Sequence, residues 1–163
     1  MADFLYGRAA LKMILGSGVT PTIDLLTDTI KVGLSTSTHV ENKDDTFLDD
    51  VGADDFIDGE LSGTGYTAGF GGAGRKSIGS KTLAYDAAND RVEFDGADQT
   101  WTAISVACAA VPALMAVHVW SAPSSDAGSP PIANVDSGGF PVVTNGGDVT
   151  IAWNAEGIIH LTV

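Results

Sequence analysis

The sequence predicts a mainly β fold, an antiparallel sandwich or barrel of jelly-roll type, with one short N-terminal helix. Three observations predict it. From Asp28 to the end, apolar residues alternate with a period of two. Clusters rich in Gly, Asn, Asp and Pro interrupt those runs at short intervals. A period of 3.6 is confined to the first 16 residues. The 163 residues read as a single domain over 1–163. It comprises a helix at 1–16, an acidic loop at 38–60, and a β-rich body at 28–37 and 61–163.

On a helical projection Phe4, Leu11, Ile14 and Leu15 fall within about one third of the circumference, with Gly7 among them. Asp3 stands where an N-cap would, and Gly16 where the helix would end. Isolated helices below ~12–15 residues rarely persist in water. This one must therefore dock on its own domain or on a neighbour.

The strands follow in order. TIKVGLST sets Ile30, Val32 and Leu34 against Lys31, Gly33 and Ser35, a half-buried pattern. SKTLAYD and RVEFD alternate likewise, Lys81, Leu83 and Tyr85 opposing Thr82 and Ala84, and Val92 and Phe94 opposing Arg91, Glu93 and Asp95. DAAND between them, Asp86 to Asp90, has the length of a hairpin loop. QTWTAIS carries Trp101. VPALMAVHVW is apolar on both alternating faces, Met115, Val117 and Val119 against Leu114, His118 and Trp120, and so reads as a strand covered on both sides. PIANVD and FPVV are short candidates. DVTIAWNAEGIIHLTV reads as a closing hairpin, with Val149, Ile151 and Trp153 on one strand and Ile159, Leu161 and Val163 inward on the other, reversed by NAEG. The segments 38–60 and 121–130 are the two long loops, where binding surfaces of sandwiches usually lie.

A chain of this length buries roughly 70% of its unfolded surface, and 44% hydrophobic against 18% charged residues is a globular composition. No apolar run reaches the ~18 residues of a membrane span, and MADFLYGRAALK lacks the pattern of a secretion signal. Cys108, the only cysteine, cannot form an internal disulfide and reads as a small core residue between Ala107 and Ala109. The net charge of −13 opposes binding to nucleic acid, which clustered Lys and Arg would grip. Residues 41–60 hold nine acids and one base, Lys43, whereas 75–81 hold three bases and no acid. A solvated loop is the favoured reading of the acidic run. DDVGADDFIDGE lacks the alternate acids, glycine turn and distal Glu of a calcium loop, which leaves a loose oxygen-rich cation site as the alternative.

GFGGAGRKS, Gly69 to Ser77, has the G-x-G-x-x-G spacing of a dinucleotide cradle. That motif requires an apolar strand before it and a helix after it. GELSGTGYTA and RKSIGSKTLAYD supply neither, and Arg75 and Lys76 do not match a phosphate-loop lysine, so the stretch reads as a loop between strands. His118 and His160 alternate with apolar residues and read as structural, and His39 as solvated. No H-x-H or H-E-x-x-H spacing supports zinc. No serine sits in G-x-S-x-G, and the carboxylates of 41–60 lack the apolar pocket that raises the pKa of a catalytic acid. No catalytic, cofactor-binding or metal-ligating residue is assigned, and no enzymatic activity is expected. Tyr66, Phe70 and Trp101 offer ring faces to a sugar on one reading and core packing on the other.

The phrases LLTDTIKVGL, GELSGTGYTAGFGGAGRKSIGSKTL, YDAANDRVEFDGADQTWTAI and GGDVTIAWNAEGIIHLT, spanning about Leu25 to Thr162, resemble a family of small virion structural proteins of tailed bacteriophages. The departures lie in VACAAVPALMAVHVW and SAPSSDAGSPP. The resemblance implies a capsid decoration, or cement, protein, with a tail, neck or fibre-associated component and a carbohydrate or host-surface module as alternatives. It further implies the major capsid protein as partner, a homotrimer by analogy with threefold decoration sites, and no nucleic-acid or membrane partner. The expected place is the outer capsid surface, after synthesis in the host cytoplasm. A lumen packed with DNA would repel a chain of this charge.

Overall fold

A computed structural model describes residues 4–15, 22–36, 39–40, 42–50, 55–105, 114–121, 124–135 and 142–162. The elements in chain order are β1 (Phe4–Leu5), α1 (Gly7–Leu15), β2 (Ile30–Thr36), α2 (Phe56–Gly59), β3 (Lys76–Ser77), β4 (Thr82–Asp86), β5 (Arg91–Asp95), β6 (Gln99–Trp101), β7 (Leu114–Ser121), β8 (Pro131–Val135), β9 (Val149–Ile151) and β10 (Ile159–Thr162). A 3-10 turn occupies Asp126–Gly128. The fold is mainly β, and all its strand pairs are antiparallel.

Three sheets form. The largest has the order β1-β8-β7-β2-β3, the second β10-β5-β4, and the third pairs β6 with β9. Residues from each of them meet in one core: Ile30, Val32 and Leu34 from β2, Ile132 and Ala133 from β8, Phe94 from β5, Trp101 from β6 and Val149 from β9. The doubly apolar VPALMAVHVW becomes β7, hydrogen-bonded on one side to β2 and on the other to β8. The packing of its two faces, the environment of Cys108, and Phe140 and Pro141 of FPVV lie outside the described residues.

The N-terminus departs from the expected single helix. Phe4 and Leu5 form a short strand on β8, Phe4 opposite Asn134 and Leu5 opposite Ala133. The helix begins at Gly7; the core includes Tyr6 and Ala9, with Met13 packed against it, and the side chain of Phe4 lies outside the described residues. Tyr6 and Ala9 are 2% and 1% exposed, so this segment docks on its own domain. Asp3, Gly16 and the side chains of Leu11, Ile14 and Leu15 are outside the described residues.

DAAND closes the β4–β5 hairpin as expected. Asp86 accepts the Ala88 backbone N–H at 2.9 Å and the Asn89 side-chain amide at 2.6 Å, and Asp90 sits at φ 49°, a left-handed conformation that aspartate tolerates. The closing hairpin does not form. NAEG turns the chain, with the Gly157 N–H on the Asn154 carbonyl at 2.9 Å. The strands it joins then diverge, β9 pairing with β6 and β10 with β5. Trp153 is accordingly half-buried, its indole N–H on the Ala97 carbonyl at 3.1 Å. Leu161, expected to face inward, is 52% exposed.

Candidate functional site

The glycine stretch folds against an aromatic wall. A side chain at Gly74 would begin 2.4 Å from the Tyr66 ring, and one at Gly72 would begin 2.2 Å from the Thr67 carbonyl. Close approach within the loop explains these glycines without a ligand. Arg75, which follows them, is 5% exposed and turned inward. Its Nε meets Glu60 Oε1 at 2.7 Å, its Nη2 meets Glu60 Oε2 at 2.7 Å, and its Nη1 pairs with Asp126 Oδ1. Glu60 takes two further donors, the Tyr66 hydroxyl and the Gly69 N–H, each at 3.0 Å. Tyr66 in turn accepts the Leu34 N–H at 3.1 Å.

Arg75, Glu60 and Tyr66 all hydrogen-bond to groups inside the fold. Burial alone would lower the Arg75 pKa, but the hydrogen bonds that it donates to Glu60 and Asp126 outweigh it and hold the guanidinium charged. Burial, with the Glu60 charge, pushes the Tyr66 phenol well above its ordinary value, so it stays a donor. The cation is therefore matched by protein carboxylates and is not open to a phosphate.

The acidic segment is also more than a solvated loop. Leu48, Phe56 and Ile57 form a small hydrophobic cluster of their own. Asp50 accepts the backbone N–H groups of Thr46 and Phe47, at 2.5 and 3.0 Å. Asp45 and Asp55 are buried, while Asp44, Asp49 and Asp58 stay exposed. Burial first, then the charges of Asp50, Asp58 and Asp49, raise the Asp55 carboxyl above the usual carboxylate value. The Leu48 N–H reaches the Ser129 carbonyl at 2.9 Å, and Arg75 lies over the Phe56 ring at 5.4 Å. The two long loops are thus joined to each other and to the glycine stretch. Among the described residues no group of three or more acids, histidines or cysteines has a metal-binding arrangement.

The histidines depart from expectation. His39 is 4% exposed, edge-on to Phe56 with ring centres 6.2 Å apart, and it sits on Gly59, where a side chain would begin 2.1 Å from the His39 Cβ. Only a glycine admits this packing. His160 lies exposed on β10. His118 is paired in the ladder with Gly33 and Asn134, and its side chain lies outside the described residues. Of the three aromatics that could have met a sugar, Tyr66 and Trp101 are each 1% exposed, and the Trp101 indole donates to the Gly74 carbonyl. Phe70 is half-buried under Lys31, whose ammonium is 5.1 Å from the ring centre.

Among the described residues, one apolar sheet face remains open. The register of β10-β5-β4 sets Leu83, Phe94 and Ile159 in one row and Tyr85, Val92 and Leu161 in the next. The first row enters the core through Phe94, which is 1% exposed. The second projects outward, with Tyr85 57% and Leu161 52% exposed. Leu83, 47% exposed, also lines an open groove with Met13, Thr22, Ile23, Asp24 and Leu25. The opposite face is polar, with Arg91 bound to Glu93 at 2.5 Å and to Glu156 at 3.0 Å. Alternation in SKTLAYD and RVEFD gave the rows; their outward position depends on where the sheet meets the core, which no local pattern encodes.

No protein-family model, curated protein or solved structure matches the chain.

Proposed function

We propose that the chain is a bacteriophage virion structural protein, a capsid decoration protein that binds the outer surface of the assembled head and stabilises it. The observation that carries this reading is the outward apolar row Tyr85–Val92–Leu161 beside the groove at Leu83. Clustered apolar exposure marks a surface that mates with protein. The residues that had suggested chemistry support the same reading, because Arg75, Glu60, Tyr66 and Trp101 are engaged in holding loops together.

The proposed partners are the major capsid protein and further copies of this chain, a homotrimer being the proposed assembly. A cement protein works by mass action. It binds the closed shell and not the free subunit, and the shell gains stability with occupancy and affinity. The charge of −13 fits the outer side, away from packaged DNA, and three copies would carry three times that, so the carboxylates point to solvent or face basic shell residues.

The test adds purified chain to heads that lack it and follows their rupture on heating. Saturable binding with delayed rupture supports the proposal. Binding confined to tails or necks would favour the tail-component alternative, and binding to neither removes the virion reading. The carbohydrate alternative is weakened by the burial of Tyr66 and Trp101.

A further inference from the structure

We propose that β4 pairs antiparallel with β4 of a second copy, about a two-fold axis at Ala84, and that Tyr85 of each copy enters the groove of the other. The proposal concerns self-association and holds whether or not the chain decorates a head.

Edge strands are commonly protected by a proline, a bulge, an inward charge or a covering loop. β4 has none of these among the described residues. It pairs with β5 alone, its register runs without a shift from Thr82 to Asp86, and its first four residues are exposed. The charge nearest its start, Lys81, is drawn away, its ammonium donating to the Asp28 carbonyl. The strand therefore offers an open edge with exposed Leu83 and Tyr85.

The sequence of the edge selects the partner. Antiparallel pairing keeps side chains on matching faces only in registers that shift by two. Centred on Ala84, such pairing sets Leu83 against Tyr85 of the second copy, Thr82 against Asp86, and the small Ala84 against itself. An aliphatic side chain then faces an aromatic one, a favourable cross-strand pair. No aspartate faces another in this register.

The apolar face extends through the contact. The two-fold axis is perpendicular to the sheet, so the row Leu161–Val92–Tyr85 continues into Leu83–Phe94–Ile159 of the second copy. Because Leu83 lines the groove with Met13, Ile23 and Leu25, the ring of Tyr85 meets that groove in the partner. Its hydroxyl, which within one chain donates to Asp90 at 3.0 Å, finds Thr22 and Asp24 among the residues lining that groove. The contact occurs twice by symmetry.

A five-residue edge and one ring per copy form a small contact against the ~800 Å² per partner of a standard interface. The pairing is therefore concentration-dependent, and it is favoured wherever copies are held close together, at effective concentrations in the millimolar range. Because the contact is isologous, it also joins neighbouring oligomers pairwise.

Sedimentation from about 10 μM to about 1 mM, the range of weak association constants, should show concentration-dependent pairing. Tyr85→Glu, at an exposed position, should weaken it at least tenfold while leaving the circular dichroism spectrum unchanged. In a Cys108→Ala background, Ala84→Cys should oxidise to a covalent dimer. Paired residues in an antiparallel ladder lie about 4.5–5.5 Å apart between Cα atoms, within disulfide reach. Asn89→Cys, exposed in the hairpin loop, should oxidise far more slowly. Thr82→Cys mixed with Asp86→Cys should cross-link, and neither should do so alone. Absence of association at the highest concentration, an association indifferent to Tyr85→Glu, or cross-linking at Ala84→Cys no faster than at Asn89→Cys would each overturn the proposal.

Discussion

Arg75 and Glu60 meet as a two-point fork, Nε on Oε1 and Nη2 on Oε2, both at 2.7 Å, with the guanidinium 0% and the carboxylate 2% exposed. The pair joins residues 15 apart in sequence, and through Asp126 it reaches another 51 away. Removing one member strands a charge without solvent. Arg75→Met should therefore destabilise the fold by about 3–5 kcal/mol in urea unfolding, the usual penalty for breaking a buried pair. A loss below ~1 kcal/mol would mean that the cluster is open to water. The additional change Glu60→Leu should recover part of the loss, leaving the Tyr66 hydroxyl and the Gly69 N–H to seek other acceptors.

Asp55 should make stability depend on pH in the direction opposite to most carboxylates. Burial and the neighbouring charges of Asp50, Asp58 and Asp49 raise its folded-state pKa above the ordinary 3.8. A raised carboxyl favours folding when protonated. Its contribution is fully present below the unfolded pKa and is lost as pH rises through the folded one. Asp55→Asn should therefore melt higher than the wild type at neutral pH, with the gap closing as pH falls below the ordinary carboxylate value. Asp55 makes no side-chain cap bond to α2, so the amide forfeits none. A gap that widens toward acid would refute this assignment.

The tryptophans should separate by burial. Trp101, 1% exposed and bonded to Gly74, should lose about 3–5 kcal/mol on change to Ala. Trp153, half-buried two residues past β9, should lose about 1 kcal/mol, near the centre of the range for ordinary substitutions. Equal losses in chemical denaturation would place Trp153 in the core after all.

Deletion of residues 1–15 should lower the melting temperature of the isolated chain, because Tyr6 and Ala9 belong to the core and the Tyr6 N–H bonds the Ile132 carbonyl at 2.9 Å. An unchanged melt would assign the segment to binding a neighbour.

Local periodicity made β2, β4, β5 and β8 legible, together with the hairpin at DAAND, because a strand's alternation and its turn are short-range properties. Pairing over longer range was not. The NAEG turn is present, but the choice of β6 and β5 as partners for the flanking strands follows from core packing, signalled by the Ile158 N–H on the Phe94 carbonyl at 2.8 Å. His39 looked solvated among acids because Phe56 and Gly59, which cover it, lie 17 and 20 positions on. The flanks of the glycine stretch mark it as a loop, whereas the inward turn of Arg75 depends on Glu60 and Asp126, whose approach no spacing announces. The outward row of Tyr85 and Leu161 escaped notice because alternation tells which residues share a face and not whether that face is covered.

The account rests on this chain presenting a surface that mates with the outside of an assembled shell. Cryo-microscopy of the particle tests that most directly. The account predicts density for the fold on the exterior of the head, in contact with the major capsid protein. Heads bare of that density, or density confined to the tail, would contradict it.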